Sequence, residues 1–245
     1  MNSTLESDEF QGGALLESYR EILAVISDAK TRAPHERPVQ LVCVSKRQPL
    51  KRIVALQEAV GRDDVLVLGE NYVQEYRDKR GDLLPHRAHL IGPLQSNKAK
   101  EAVSLFDCIE SVHSEKLAQN LEKEARRIEK TLPIFLQVNI SDDEKKSGFS
   151  PEEFQKVAEH WNENFTALQL RGVMTITAFY DDPEGARGDF RRLYELASST
   201  FQAFPESFGG SAPEVSMGMS ADYRVAVEEG ATVVRVGSAL FGTRE

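Results

Sequence analysis

The sequence predicts an α/β protein built as a single (β/α)8 barrel, the TIM barrel, with one extra N-terminal helix. Three observations carry this. The 245 residues match the roughly 250 that such a barrel typically needs. Eight short runs of β-branched and apolar residues recur at 39–45, 65–69, 88–92, 108–112, 133–140, 170–176, 214–218 and 232–237. Most are nearly continuous rather than alternating, as expected of parallel strands covered by helices. Between the runs lie longer polar stretches with helical periodicity. A doubly wound open sheet is the alternative, and the lack of Gly-x-Gly-x-x-Gly after the first run counts against it.

The elements follow in order. Residues 1–13 are polar and acidic and end in Gly12-Gly13, so they are read as a flexible N-terminal tail, which leaves 14–245 as one domain. An amphipathic helix is expected over 15–29, with 31–38 and its two prolines as the exit loop. A second helix over 50–60 places Ile53, Leu56, Gln57 and Val60 at helical spacing. Ser96 or Asn97 is expected to cap a helix after the third strand. Over 114–130, Leu117, Leu121, Ala125 and Ile128 share one face. Ser150-Pro151-Glu152-Glu153 joins a cap residue, a proline at the first helical position and early acids, so a helix starts there. Further helices are expected over 186–204 and 221–229. No low-complexity linker divides the chain.

Lys plus Arg number 30 and Asp plus Glu 39, a formal charge of −9. That balance argues against general affinity for nucleic acid or an anionic membrane, but not against a local basic pocket. No apolar run approaches the roughly 18 residues that span a bilayer. The N-terminus lacks a basic start and apolar centre, so no export signal is read and the cytoplasm is expected. Cys43 and Cys108 fall in predicted strands and read as small core residues in a reducing compartment. His35, His86, His89, His113 and His160 show no metal-ligand spacing, so no metal is expected. Gly-x-Ser-x-Gly is absent.

Active sites of such barrels sit at the C-terminal ends of the strands. The first strand ends Val42-Cys43-Val44-Ser45-Lys46, and alternation puts Val42, Val44 and Lys46 on one face. If the valines fill the barrel, Lys46 points into its mouth. Partial desolvation and the neighbouring Arg47 would both lower its amine pKa, and a neutral amine is what imine chemistry requires. A lysine that snorkels to solvent is the alternative. The seventh strand ends Ser216-Met217-Gly218-Met219-Ser220, and the eighth ends Arg235-Val236-Gly237-Ser238. Glycines there let backbone approach a ligand, and the loops after strands seven and eight are where barrels frequently hold phosphate. A tight turn is the plainer reading of each. Arg235 shares the face of Gly237, so an inward Gly237 puts the arginine inside the barrel, paired with an acid or with a ligand. Asn71, after the second strand, either hydrogen-bonds a ligand or caps a helix.

These motifs together resemble the YggS/PROSC family of pyridoxal phosphate homeostasis proteins. The resemblance rests on Val44-Ser45-Lys46, the run from Gly69 to Glu75, the run from Ile91 to Lys98, Lys145-Lys146-Ser147-Gly148, Ser216 to Ser220, and Arg235 to Gly242. Leu68 stands where the family often has Phe, and Ala88 and Leu90 where it often has aromatics, changes of packing. The resemblance implies the barrel of the alanine racemase N-terminal domain and pyridoxal 5′-phosphate (PLP) as cofactor. Lys46 would hold PLP as an internal aldimine. Ser216, Gly218, Met219, Ser220, Gly237 and Ser238 would hold its phosphate. Arg235 would face the pyridine nitrogen, and Asn71 would lie near the ring.

Two functions fit. One is a carrier that buffers PLP and delivers it to apo PLP-dependent enzymes, without strong catalysis; the other is a PLP-dependent amino acid racemase. Alanine racemases take a second base, a tyrosine, from an extra C-terminal β-domain across a dimer. Glu245 follows soon after the eighth strand, so that domain is not expected here, and a monomer is. Tyr72 or Tyr223 would have to substitute. An arginine at the pyridine nitrogen also makes the ring a poorer electron sink. The carrier is therefore favoured. A Schiff-base aldolase is a third reading, weakened because its lysine usually comes from a late strand.

Overall fold

The computed structural model describes residues 2–61, 64–143 and 146–242, with side chains from residue 12 onward. Strands β1 (Gln40–Val44), β2 (Val67–Glu70), β3 (Arg87–Leu90), β4 (Cys108–Val112), β5 (Leu132–Gln137), β6 (Leu168–Met174), β7 (Glu214–Ser216) and β8 (Val233–Val236) form a closed parallel barrel in chain order. The ring closes where Gln40 to Cys43 of β1 pair with Val233 to Val236 of β8. All eight expected strands are present.

Both faces of the strands are buried, which is why the sequence runs read as continuous. Val42, Val44, Val67, Ile91, Cys108, Phe135, Met174 and Val233 pack together inside the barrel. Leu41, Cys43, Leu68, Leu90, Ile109 and Ile134 face the helix layer, where the larger core lies. Cys43 and Cys108 are free and buried, and burial pushes the Cys43 thiol up to about 12.

The surrounding helices are α1 (Asn2–Lys30), α2 (Leu50–Val60), α3 (Val73–Lys79), α4 (Ala99–Leu105), α5 (Glu115–Arg127), α6 (Pro151–Glu159), α7 (Trp161–Asn164), α8 (Arg187–Ala203), α9 (Tyr223–Glu228) and α10 (Ser238–Phe241). The α2 bounds are those expected, with Ile53, Leu56 and Gln57 buried. At α6, Ser150 Oγ accepts from Glu153 N at 3.2 Å and Glu153 Oε2 accepts from Ser150 N at 2.8 Å, a complete capping box.

Three local expectations change. The first helix begins at Asn2, through the segment read as a frayed tail. Gly12 does not end it and lies against α2, where a Cβ on it would be in ordinary contact with the Ala55 carbonyl oxygen at 3.6 Å. The α5 helix stops at Arg127, since Glu129 adopts φ +55°, and Ile128 is left 41% exposed rather than on the buried face. Neither Ser96 nor Asn97 caps α4, which begins at Ala99 behind a 3-10 turn over Ser96–Lys98 with no side-chain cap. Leu15, Ile22, Ile26 and Ala29 seat α1 on the barrel's outside. Each large apolar side chain so buried stabilises by about 1.5–3 kcal/mol. Among the described residues, no helix is long and apolar enough to cross a membrane.

Candidate functional site

Inward parity carries directly to the barrel mouth. Lys46 lies two residues past the inward Val44 and is half-buried. Asn71 lies two past Gly69, whose added Cβ would meet Val42 and Val44. Gly237 lies two past Arg235, and a Cβ on it would come 3.3 Å from Val44 Cβ. The end of β8 therefore touches the end of β1 just before Lys46.

The β7 and β8 turns join. Arg235 N donates to the Gly218 carbonyl at 3.0 Å. Ser220 Oγ accepts from Gly237 N at 3.0 Å and from Ala239 N at 3.2 Å. Asp222 Oδ1 accepts from Met219 N at 2.6 Å. Gly218 has φ +87°, and a Cβ there would lie 2.5 Å from Ala226 Cβ, so only glycine fits this turn. Ser238 and Met219 are exposed. The structure thus brings the Gly218–Ser220 turn and the turn at Gly237 and Ser238 together beside the β1 terminus.

Ser216 lies one layer lower, inside the barrel. Its hydroxyl donates to Glu110 Oε2 at 2.6 Å and accepts from Arg235 NH1 at 2.5 Å. Arg235 NH2 donates to the Thr175 carbonyl at 2.6 Å. His89 Nδ1 lies 2.6 Å from Glu110 Oε1, and Arg235 NH1 lies 4.0 Å from Glu110 Oε2. Burial pushes the Glu110 carboxyl up, but His89, Arg235 and Ser216 together bring it below its ordinary value. Burial lowers the Arg235 guanidinium, against the pull of Glu110 and Asp222. Arg235 is therefore buried and paired, as its parity required.

Asn71 caps nothing: α3 starts at Val73 with Tyr72 as its flanking residue and no side-chain cap. A Cβ on Gly92 would lie 2.5 Å from Asn71 Cα, so the glycine makes room for Asn71. Among the described residues, only two buried side-chain polar atoms lack a hydrogen-bond partner, Asn71 Oδ1 and Glu70 Oε2. Tyr72 is 43% exposed, with the Arg47 guanidinium 5.6 Å from its ring centre. Tyr223 packs against the helix-side core. Lys145 lies outside the described residues; Lys146 Nζ donates to the carbonyl of Thr177. Among the described residues, no group of three or more His, Cys, Asp or Glu is placed to hold a metal ion.

Sequence reasoning missed Glu110 and Glu70. Glu110 left a signal, an acid two residues from the inward Cys108 in an apolar strand. Glu70 left none beyond its motif.

The sequence matches the family described as alanine racemase, N-terminal domain, over residues 20–245. A pyridoxal phosphate homeostasis protein of Pasteurella multocida is 36% identical over 214 residues, 86% of this chain and 88% of that one. The chain belongs to this family, in the branch of the pyridoxal phosphate homeostasis proteins. The human pyridoxal phosphate homeostasis protein is 35% identical over 235 residues, 90% of this chain and 83% of its own. Among solved structures, PipY of Synechococcus elongatus with PLP bound superposes with a TM-score of 0.77 at 32% identity, covering 93% of this chain and 100% of that one. An alanine racemase from Bartonella henselae with covalently bound pyridoxal phosphate shares the fold alone, with TM-score 0.68 at 15% identity, covering 95% of this chain and 59% of the racemase.

Proposed function

We propose that this chain binds PLP at the barrel mouth, holds it covalently through Lys46, and buffers and delivers it rather than turning over a substrate. The observation that carries this is the contact between the Gly237 turn and Val44, which sets the β7 and β8 turns beside the strand that leads into Lys46. The residues present fit the cofactor. Asn71 Oδ1 is a buried acceptor without a partner and suits a ring substituent that donates. The backbone N–H groups of Gly237 and Ala239 reach only one serine hydroxyl, Ser220 Oγ, and suit a phosphate, with Met219 and Ser238 at the rim. Arg235, held from below by Ser216 and Thr175, presents cationic donors where a pyridine nitrogen would be met. Bound there, PLP supplies an electrophilic aldehyde that primary amines attack reversibly.

The chain's own residues favour storage over catalysis. Arg235 keeps its protons, so it donates to a ring nitrogen without protonating it. Tyr223 packs into the helix layer, and Tyr72 stands exposed beside Arg47, so neither offers the buried second base a racemase needs. The two free cysteines fit a reducing cytoplasm, and we read the protein as acting there as a monomer.

The test is the visible spectrum of the protein with PLP, before and after borohydride, with the reduced peptide mapped by mass. Yellow colour trapped on Lys46, and lost in Lys46→Ala with the far-ultraviolet dichroism intact, is the expected result. A protein that stays colourless with added PLP overturns the reading. Transfer of PLP to an apo-enzyme no faster than from free PLP removes the delivery role, and rapid racemisation of L-alanine replaces it.

A further inference from the structure

Lys46 stands in a segment whose backbone is tied from behind the barrel wall. Ser45, the residue before it, is fully buried with its hydroxyl on Glu70 Oε1 at 2.5 Å. The Ser45 carbonyl accepts from Lys79 Nζ at 3.0 Å, and Ser45 N donates to the Gly69 carbonyl at 3.0 Å. Arg47, the residue after it, donates its backbone N–H to Glu75 Oε1 at 2.6 Å. Arg47 has φ +56°, a left-handed conformation that a side-chain-bearing residue holds only when its surroundings impose it. One ammonium joins both flanks: Lys79 Nζ lies 2.8 Å from Glu70 Oε1 and 2.9 Å from Glu75 Oε1.

Parity keeps this cluster off the ligand side. Ser45 and Glu70 alternate with the inward Val44 and Gly69, so they face α3, which carries Glu75 and Lys79. Burial pushes the Glu70 carboxyl up, and Lys79 and Ser45 pull it only part of the way back. A cluster assembled around a fully buried carboxylate with one bare oxygen is a poor device for stability alone. Its geometric yield is a fixed backbone on both sides of one lysine.

We infer that Lys79 is the positioning residue for Lys46, acting through Ser45 and Glu75 to hold the attachment amine in place before the cofactor arrives. This rests on Lys46 being the attachment point. Reactivity at Lys46 is then set by preorganisation, as expected where a reacting group must meet a carbonyl carbon within a narrow range of approach.

The experiment separates pocket from amine. Pyridoxine 5′-phosphate has the ring and phosphate but no aldehyde, so its affinity reads the pocket alone. The rate of borohydride-trappable PLP attachment at Lys46 reads the amine. Lys79→Met is expected to slow attachment by about tenfold or more, since a misplacement of about 1 Å is enough for a hundredfold loss, while pyridoxine 5′-phosphate affinity stays unchanged. Ser45→Ala, which removes one hydroxyl, slows it less and covers the case in which Lys79→Met does not fold. Lys79→Arg, which keeps the charge, recovers part of the rate. Attachment at the wild-type rate in the folded variants, or proportional loss of both readouts, overturns the inference and leaves a strand-to-helix staple. Trace labelling of Lys46 by acetic anhydride in cofactor-free protein, mapped by mass across pH, gives a readout independent of PLP. If wild-type Lys46 never takes PLP, the functional reading falls, and an unaltered labelling profile in Ser45→Ala and Lys79→Met then overturns the clamp as well.

Discussion

Two glutamates in this barrel are fully buried and titrate in opposite directions. Glu70, behind the β1–β2 side of the mouth, is raised above its ordinary value. Glu110, beneath the β7–β8 side, is lowered. Burial pushes both up, so burial does not decide between them. Their hydrogen-bond partners and neighbouring charges do, the like charge of Glu75 adding to the rise at Glu70. Glu110 has a partner on each oxygen, His89 on one and Ser216 on the other, with Arg235 close by. Glu70 gathers Ser45 and Lys79 on a single oxygen and leaves the other bare. A carboxylate satisfied on both sides keeps its charge in a barrel interior, and one satisfied on one side is held there against its own desolvation.

The largest effect that would break this contrast is Glu110→Ala. It takes the nearby carboxylate from Arg235, leaves His89 Nδ1 without its partner and removes the acceptor of the Ser216 hydroxyl. Breaking such a pair from one side costs about 3–5 kcal/mol, to be read from urea unfolding. A loss below about 1 kcal/mol, the scale of a single neutral hydrogen bond, would show that the interior ladder carries little. Next comes the pH dependence. Glu110 has a depressed folded pKa, so its stabilisation is present above the unfolded value of about 4.3 and is lost as pH falls through the folded value. Glu70 has a raised folded pKa, so its contribution is present below that unfolded value and is lost as pH rises through the folded one. Glu110→Gln should therefore flatten the acid limb of stability, and Glu70→Gln should remove a loss on the way to neutrality. Unfolding free energies between pH 3 and 8 check both, and parallel curves for the two variants would erase the distinction. Ser216→Ala comes third, at about 1 kcal/mol for one net hydrogen bond, with weaker PLP binding because Arg235 loses a support. The smallest effect is Tyr72→Leu, since an exposed cation–π contact is worth about 0.5–1 kcal/mol; thermal unfolding should barely move.

The same contrast marks what was legible beforehand. The barrel was, because eight apolar runs and the interruptions between them are local facts. Parity was too: Val42 and Val44 read as inward and are, and Gly237 put Arg235 inside. The ladder was not, because Glu110 on β4 meets Ser216 on β7 across the lumen, and only ring closure brings those strands together. The clamp was half visible. Glu75 and Lys79 stand at helical spacing, but nothing in the sequence says that α3 folds back to place them behind Ser45. Ser216 was grouped with the phosphate turn by proximity along the chain, whereas strand alternation drops it a layer below. The start of α1 was missed because Gly12-Gly13 reads as a break, while the helix runs through both glycines.

Closure of the ring has a consequence in time. The proposed site needs β8 beside β1, strands separated by almost the whole described chain. During synthesis, β1 and its lysine leave the ribosome early and wait for the last strand before any lumen exists. Contacts of such sequence separation form late and slowly. A nascent chain therefore has Lys46 long before it has a lumen, and the cofactor attachment proposed above would depend on the finished ring rather than on the lysine's own emergence.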